Sequence, residues 1–233
     1  MSHKHRQNLK IQGKMAKNTI SLNEDALLQQ CALDLTDLLK GQLNVPDDWS
    51  IEFLNTIPTS LVVKKLVSDG IPRSYISYLV SPNPNGEPSE IHPDGGCIAA
   101  IKRNEKNEII IWYPLVISES KHQGTEEEPK QSKGNAIERV FKNYNFVTKL
   151  CHRDRVTPFV CFCQGCDMEN EFVRNKIRQG ACEVNIDDIK TNDYDLRQAS
   201  FWMRTESWTE SEILEKLKSC ALQAWDYYRK RME

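Results

Sequence analysis

Apolar residues recur at helical spacing in several separate stretches of the chain. In the first stretch, residues 21–41, Ser21 and Glu24 form a capping box ahead of the apolar stripe, as expected at the start of an amphipathic helix. The stripe consists of Leu27, Leu28, Cys31, Leu35, Leu38 and Leu39. The second stretch predicts a helix over Pro58–Asp69. The third predicts a C-terminal helix within Thr209–Arg229, whose first residues repeat the capping-box pattern.

Between these helices, shorter apolar runs have the composition of β-strands. Cys97–Ile101 and Glu108–Ile117 are separated by the polar segment Lys102–Asn107, which predicts a hairpin. A helix opens at Gly134, and it leads into the apolar run Phe159–Cys163, which has the composition of a buried strand. Strands that alternate with helices along the chain predict a single layered domain of the α/β class.

Length and charge set the expected organisation of the chain. Its 233 residues suffice for one substantial core, and we assign residues 21–233 to one domain, without dividing it at the turn-rich segment 81–96. Residues 1–20 form a basic N-terminal arm, because the first acidic residue is Glu24. This arm is either a solvated disordered tail or a segment that folds against phosphates. The 31 basic and 33 acidic residues nearly balance, which still allows one basic cleft for nucleic acid.

The absence of long apolar runs predicts a cytoplasmic protein. No stretch approaches the ~20 apolar residues of a membrane span, and the N-terminus lacks the apolar run of a secretory signal. The eight cysteines are therefore expected to be reduced. Cys161, Cys163 and Cys166 are close in sequence, but the first two fall in the predicted buried strand. No second pair of ligands at zinc spacing follows them.

Two acids and one lysine flank the predicted hairpin. Glu119 and Lys121 follow the apolar strand and point to one face of it, because strand side chains alternate. If the hairpin folds at its polar turn, Asp94 lies opposite Glu119. Two carboxylates offer hard oxygen ligands to Mg²⁺, and an ammonium group stabilises negative charge at a phosphate. The simpler interpretation of this pattern is a solvated strand end with an ordinary ion pair.

Four segments carry a resemblance to a known family. They are Ile91–Gly96, Ser118–Gly124, Gly134–Arg139 and Pro158–Phe162. The first two match the catalytic pattern of the PD-(D/E)xK nucleases. All four, in this order between Ile91 and Gly165, resemble the EcoRI-like type II restriction endonucleases within that superfamily.

The resemblance implies a restriction-endonuclease-like fold, with a mixed β-sheet core flanked by helices. It implies a homodimer that surrounds double-stranded DNA, with one active site in each subunit. Asp94 and Glu119 are implied to bind Mg²⁺ together with the carbonyl of Ser120, while Lys121 assists the attacking water. Ser120 replaces the alanine of the family, a neutral change if only its carbonyl oxygen is used.

A second set of residues is implied to contact DNA. It consists of Lys133, Gly134, Asn135, Ala136, Glu138 and Arg139. By the family pattern, Gly134–Arg139 forms an extended segment and helix start in the major groove. Asn135 can bond adenine N6 and N7, and Ala136 can pack near a thymine methyl. Arg139 can donate to purine acceptors, with Glu138 either holding it or accepting from adenine. Taken alone, Asn135 is equally suited to cap a helix.

The resemblance also implies the reaction: hydrolysis of duplex DNA at a short palindrome with an AATT-like core, leaving 5′ overhangs. A companion DNA methyltransferase would act on the same site. The segment Gln131–Lys133 departs from the family, so the outer base pairs of the site can differ. Lys133 either contacts the outer base pair, where its ammonium can donate to guanine O6 and N7, or contacts a phosphate.

Two other functions fit the same residues less closely. A PD-(D/E)xK repair or recombination nuclease would share Asp94, Glu119 and Lys121, but such proteins seldom contain the Gly134–Arg139 segment. A catalytically inactive DNA-binding relative would keep the fold and has no need of the complete catalytic set. A cut at one discrete palindrome distinguishes the restriction endonuclease from both.

Overall fold

The structure is a computed structural model that describes most of the chain. The described residues are 25–74, 76, 90–122, 124, 135–151, 154–171, 175, 184–187 and 194–232. Within 135–139 and 184–187, and at Asp167 and Glu169, only the backbone is described. The predicted basic arm at residues 1–20 lies outside this part of the chain.

In the described part of the chain, six strands form one mixed sheet. They are β1 Trp49–Leu54, β2 Cys97–Arg103, β3 Ile109–His122, β4 Phe159–Gln164, β5 Val184–Asp187 and β6 Ala199–Arg204. Their order across the sheet is β1-β2-β3-β4-β6-β5. β1, β2 and β3 are antiparallel neighbours, whereas β3, β4, β6 and β5 are parallel neighbours. The predicted mixed sheet is therefore confirmed.

Helices cover both faces of this sheet. The helices are α1 at residues 25–42, α2 Thr59–Ser68, α3 Asn135–Leu150 and α4 Glu210–Tyr228. Phe201 and Trp202 are neighbours in β6 and point to opposite faces. The ring of Phe141 in α3 lies 6.0 Å from that of Phe201, and the ammonium of Lys216 in α4 lies 3.7 Å from the centre of the Trp202 ring. α3 and α4 therefore lie on opposite faces, as expected for an α/β fold.

α1 lies beside the start of α4. The Cys31 thiol, in the middle of α1, contacts the carbonyl of Glu210 at 3.9 Å. The predicted apolar stripe is buried at Leu28, Cys31, Leu35 and Leu39 and half-buried at Leu27. Leu38 is an exception, at 41% exposed, because it lies on the flank of the stripe, about 60° around the helix from Leu35. No helix in the described part of the chain combines the length and apolarity needed to cross a membrane.

The C-terminal helix starts as its sequence predicts. The Thr209 hydroxyl accepts a hydrogen bond from the backbone N–H of Glu212, and the Glu212 carboxylate accepts one from the backbone N–H of Thr209. The Arg204 guanidinium donates to both carboxylate oxygens of Glu212, at 2.6 Å each. The guanidinium, followed by the Thr209 bonds, lowers the pKa of Glu212 to about 2. A capping box and an ion pair thus hold the end of β6 against the start of α4.

The hairpin is present, and its second strand is longer than the apolar pattern indicated. β2 and β3 pair from Cys97 and Ile117 to Arg103 and Ile109. β3 continues through Glu119 to His122 because β4 pairs with that half of it. The sequence patterns did not predict β1, β5 or β6. β6 is short and buried on both faces, so it lacks the alternation that identifies a half-exposed strand.

Candidate active site

The last residues of β3 form one wall of the candidate site. Glu119 and Lys121 point to the same face of the sheet, and they pair with Cys161 and Cys163 of β4. Every residue of β4 is buried. This interior strand fixes the backbone beneath the two candidate side chains. Glu119 itself is only 2% exposed.

A tight turn at residues 93–96 brings Asp94 to this strand. The N–H of Gly96 bonds the carbonyl of Pro93 at 2.9 Å and closes the turn. Two further bonds attach the turn to β3: the Gly95 N–H donates to the Ser118 carbonyl, and the Ser118 N–H donates to the Gly96 carbonyl. Asp94 is therefore positioned by the bonds that the two residues after it make to the N–H and C=O of Ser118.

This turn requires both of its glycines. A Cβ on Gly95 would overlap the Ser118 hydroxyl and lie 2.5 Å from Cγ of Leu28 in α1. Gly96 has a φ of +72°, and a Cβ there would lie 2.6 Å from the ring of Phe53. The left-handed conformation and the close contacts explain why the aspartate is followed by two residues without side chains.

The structure brings Asp94, Glu119 and Lys121 together, as the sequence pattern indicated. The Lys121 ammonium lies 2.5 Å from Oδ2 of Asp94 and 3.6 Å from Oε2 of Glu119. The backbone N–H of Ser120 points to the same Asp94 oxygen at 3.3 Å. Since the N–H and C=O of one strand residue point to the same edge, the Ser120 carbonyl also faces the Asp94 side of β3.

Burial and the neighbouring charges shift the pKa values of two members of this set. Burial, followed by the Asp94 carboxylate, raises the pKa of Glu119 well above its ordinary value. Burial disfavours the charged form of Lys121, but Glu119 and Asp94 outweigh it and raise the pKa of the lysine. The lysine is thus cationic at neutral pH, and it is the positive group that both acidic side chains contact.

Two residues that the sequence did not mark as functional contact the site. The side-chain amide of Asn143 in α3 donates to Oε1 of Glu119. The Ser120 hydroxyl donates to the carboxylate of Asp25, in α1. Asn143 lies four residues beyond the Gly134–Arg139 segment, and its type alone indicated no role. Asp25 lies 95 residues from Ser120, so no local pattern could have identified it.

The donor set suits a hard divalent cation. Within the described residues, no group of three or more His, Cys, Asp and Glu side chains is placed to hold a metal ion. Mg²⁺ needs no such group, because it retains several waters and binds one or two carboxylates. Asp94 and Glu119, with the Ser120 carbonyl facing them, are donors of that chemistry. The residues therefore fit Mg²⁺ better than a zinc ion, for which four nitrogen or sulfur ligands are usual.

Most of the predicted DNA-contacting segment can be placed only by its backbone. Asn135, Ala136, Glu138 and Arg139 lie in the first turns of α3, where the structure describes no side chains. Lys133 and Gly134 lie outside the described residues. The backbone from Asn135 onward is helical, so any extended part of this segment precedes it. The contacts of these residues with DNA stay predictions.

The mixed sheet between two helical layers, with two carboxylates and a lysine where β3 leaves the core, defines a restriction-endonuclease-like α/β fold. The sequence profile described as restriction endonuclease EcoRI matches residues 86–230, more than half of the chain. The protein therefore belongs to the restriction endonuclease EcoRI family.

A curated relative resembles the chain more distantly. The type II restriction enzyme RsrI of Cereibacter sphaeroides is 24% identical over an alignment of 179 residues. The alignment covers 58% of this chain and 63% of RsrI. The chain thus matches less than two thirds of the length of this relative.

Proposed function

We propose that the protein is a Mg²⁺-dependent type II restriction endonuclease that hydrolyses phosphodiester bonds of double-stranded DNA. The observation that carries this proposal is the convergence of Asp94, Glu119 and Lys121 at one end of β3. Two further points support it. The chain belongs to the restriction endonuclease EcoRI family, and the same three residues match the PD-(D/E)xK pattern. A complete set of two acids and a lysine favours catalysis over DNA binding alone.

The residues divide the chemistry between them. Asp94, Glu119 and the Ser120 carbonyl would hold Mg²⁺, which polarises the phosphate and acidifies a bound water. Lys121 donates hydrogen bonds either to the attacking water or to a non-bridging phosphate oxygen. Its positive charge lies where the transition state gains negative charge, which lowers the barrier to hydrolysis. Burial of Glu119 strengthens these electrostatic interactions by excluding water.

DNA recognition is assigned to the start of α3 and the residues before it. We propose that Asn135, Ala136, Glu138 and Arg139 contact base edges in the major groove, and that Lys133 contacts the outer base pair. Gly134 permits close approach of the backbone to DNA. The proposed site is a short palindrome with an AATT-like core, on the strength of the Gly134–Arg139 motif. The position of this segment at the start of a helix supports the proposal, because helix starts commonly enter the major groove.

The proposed assembly and location follow from this activity. A palindrome is matched by a two-fold symmetric homodimer, which places one site on each strand. We propose that the cuts leave 5′ overhangs and that the enzyme acts in the cytoplasm. A companion methyltransferase would protect the same sequence in the host DNA.

Digestion of plasmid DNA tests this function. Purified protein is incubated with a plasmid of known sequence, with Mg²⁺ or with excess chelator, and the ends of the fragments are sequenced. The proposal predicts discrete fragments only with Mg²⁺, each ending in a 5′ overhang within one AATT-containing palindrome. Ends scattered over unrelated sequences would support a repair or recombination nuclease. Intact plasmid under both conditions would support a DNA-binding protein without catalytic activity.

A further inference from the structure

The carboxylate of Glu119 is held from two directions. The Asn143 amide donates to Oε1, while the Lys121 ammonium lies 3.6 Å from Oε2. A carboxylate that is 2% exposed depends on such neighbours, because water cannot replace them. With one oxygen bonded to an amide on a helix, the orientation of the carboxylate follows the position of that helix.

That helix is α3, which also begins with the segment assigned to DNA recognition. Asn143 lies four residues after Arg139, so the two positions are adjacent along one side of the helix. The middle of α3 is fastened to the sheet, because the ring of Tyr144 lies 5.9 Å from that of Phe159 and Val147 is fully buried. Only about one helical turn separates Arg139 from Asn143, so a tilt of α3 about this packed region, imposed at its start, also shifts the Asn143 amide.

We propose that Asn143 is a positioning residue that couples DNA recognition at the start of α3 to divalent-cation binding at Glu119. This inference rests on the proposed function. Engagement of the specific sequence sets the position of α3, and the Asn143 amide turns the Glu119 carboxylate into the orientation that binds the cation. Because coupling between two binding events is reciprocal, the specific sequence must strengthen cation binding, and the cation must strengthen binding of that sequence.

A purely structural hydrogen bond would behave differently. If the Asn143 amide only satisfies a buried acceptor, its removal weakens the fold or lowers cation affinity equally on every DNA. Coupling instead requires that the cation binds more tightly on the specific duplex than on an unrelated duplex, and that this difference in affinity depends on Asn143. The ratio of cation affinities on the two duplexes therefore separates the two roles.

The test measures Mn²⁺ binding by electron paramagnetic resonance on preformed protein–DNA complexes. One duplex contains the cleavage site mapped by plasmid digestion, and the other is a scrambled sequence of the same composition. Phosphonate linkages at the cleavage positions keep the DNA intact. Asn143→Ala removes the amide, and Asn143→Leu removes it while keeping the side-chain volume. Asn145→Ala is the matched control, because Asn145 lies on the same helix and is exposed.

In the wild-type protein and in Asn145→Ala, we expect Mn²⁺ to bind about 10-fold or more tightly on the specific duplex, within the usual range of coupling between sites. In Asn143→Ala and Asn143→Leu, this ratio falls towards one, and the affinity on the specific duplex falls about 10- to 100-fold, as for other residues that orient metal ligands. Thermal melts identify a variant that is not folded, and the other Asn143 variant then decides.

Two results would overturn the coupling alone: wild-type protein that cuts plasmid but shows a ratio of one, or folded Asn143 variants that keep the wild-type ratio. If those variants keep the ratio but lose Mn²⁺ affinity equally on both duplexes, Asn143 has a structural role only. Wild-type protein that neither cuts plasmid nor binds Mn²⁺ would overturn the proposed function and the coupling together.

Discussion

At the residue scale, the site depends on the balance of charge around Glu119. This carboxylate is almost fully buried, and an isolated buried charge is costly. Lys121 compensates for part of that cost, and Asn143 supplies a hydrogen bond to one oxygen. Asp94 adds a second negative charge beside the same lysine. The site thus sets two acidic side chains against one lysine, an arrangement that suits a divalent cation.

The turn that carries Asp94 gives a prediction at this scale. Gly95→Ala places a methyl group against the Ser118 hydroxyl and Leu28 of α1. Overpacking of this kind costs about 1–3 kcal/mol, and displacement of the turn moves Asp94 away from Lys121. We expect a lower melting temperature, measured by circular dichroism, together with a lower cleavage rate.

Gly41→Ala is the matched control for this substitution. Gly41 lies near the end of α1, and nothing is within 4 Å of a Cβ built there. Alanine is favoured over glycine in helices by up to about 1 kcal/mol, so the control should melt at the same or a higher temperature. Equal melting temperatures and cleavage rates for the two variants would contradict the steric account of the turn.

Local sequence spacing predicted only some of these residues. Glu119 and Lys121 were predicted to share a face, because side-chain alternation within one strand is a local property. The position of Asp94 followed from the short hairpin that joins it to the same strand. Asp25 and Asn143 reach the site from helices elsewhere in the chain. Their contacts depend on how those helices pack, which no spacing of residue types specifies.

At the scale of the elements, β3 is the strand on which the architecture depends. Its first half pairs antiparallel with β2, and its second half pairs parallel with β4. The candidate site residues lie beyond the start of β2, where Cys97 pairs with Ile117, so the edge of β3 beyond Ile117 is open to the Asp94 turn. The hairpin and α4 were predicted because their signals are local. β1 and β6 were missed because their strand character depends on pairing with distant partners.

The start of α4 gives a prediction on pH dependence. The pKa of Glu212 is lowered in the folded protein to about 2, first by Arg204, from about 4.3 in an unfolded chain. A carboxyl group with a lowered folded-state pKa stabilises the fold above its unfolded value, and this contribution is lost as the pH falls towards 2. Glu212→Gln should therefore lower the melting temperature at pH 7 and have progressively less effect below about pH 4.

Glu215→Gln is the control on the same helix, because Glu215 is exposed and substitutions at such positions change stability by less than about 0.5 kcal/mol. The comparison is made by thermal melts of the wild type and both variants from pH 7 to pH 2.5. A constant difference between wild type and Glu212→Gln across that range would show that the ion pair contributes no stability.

The start of α3 gives a prediction on specificity. If Asn135 bonds adenine in the proposed core, Asn135→Ala should lower discrimination against a substituted core base pair by about 1–3 kcal/mol. Lys133→Ala should lower affinity mainly on duplexes with the native outer base pair. Fluorescence anisotropy on duplexes that differ at a single base pair measures both effects. A uniform loss on every duplex would assign the residue to a phosphate contact instead.

At the scale of the whole molecule, the proposed palindrome requires two copies of the site. Each chain supplies one set of Asp94, Glu119 and Lys121, and the cleavage of both strands needs two sets related by a two-fold axis. The fold class and the proximity of Asp94, Glu119 and Lys121 were predictable from one chain, because their signals lie within it. The surface that joins two copies has no comparable signal in the sequence.

Assembly on DNA gives a prediction at this scale. We expect multi-angle light scattering to show two protein chains on one specific duplex. On supercoiled plasmid with one site, linear product should appear without accumulation of nicked circles. A single chain on each duplex, with nicked circles as the final product, would contradict the homodimer.

The central claim is that Asp94, Glu119 and Lys121 carry out Mg²⁺-dependent cleavage at one specific site, and single-turnover cleavage of the mapped duplex tests it most directly. Glu119→Ala and Lys121→Ala are compared with Glu105→Ala, a control in the exposed turn between β2 and β3. We predict that each site variant binds the specific duplex but loses several kcal/mol of transition-state stabilisation, a fall in rate of at least about 100-fold. The control should cut at the wild-type rate. Folded Glu119→Ala that cuts this duplex as fast as the wild type would contradict the account.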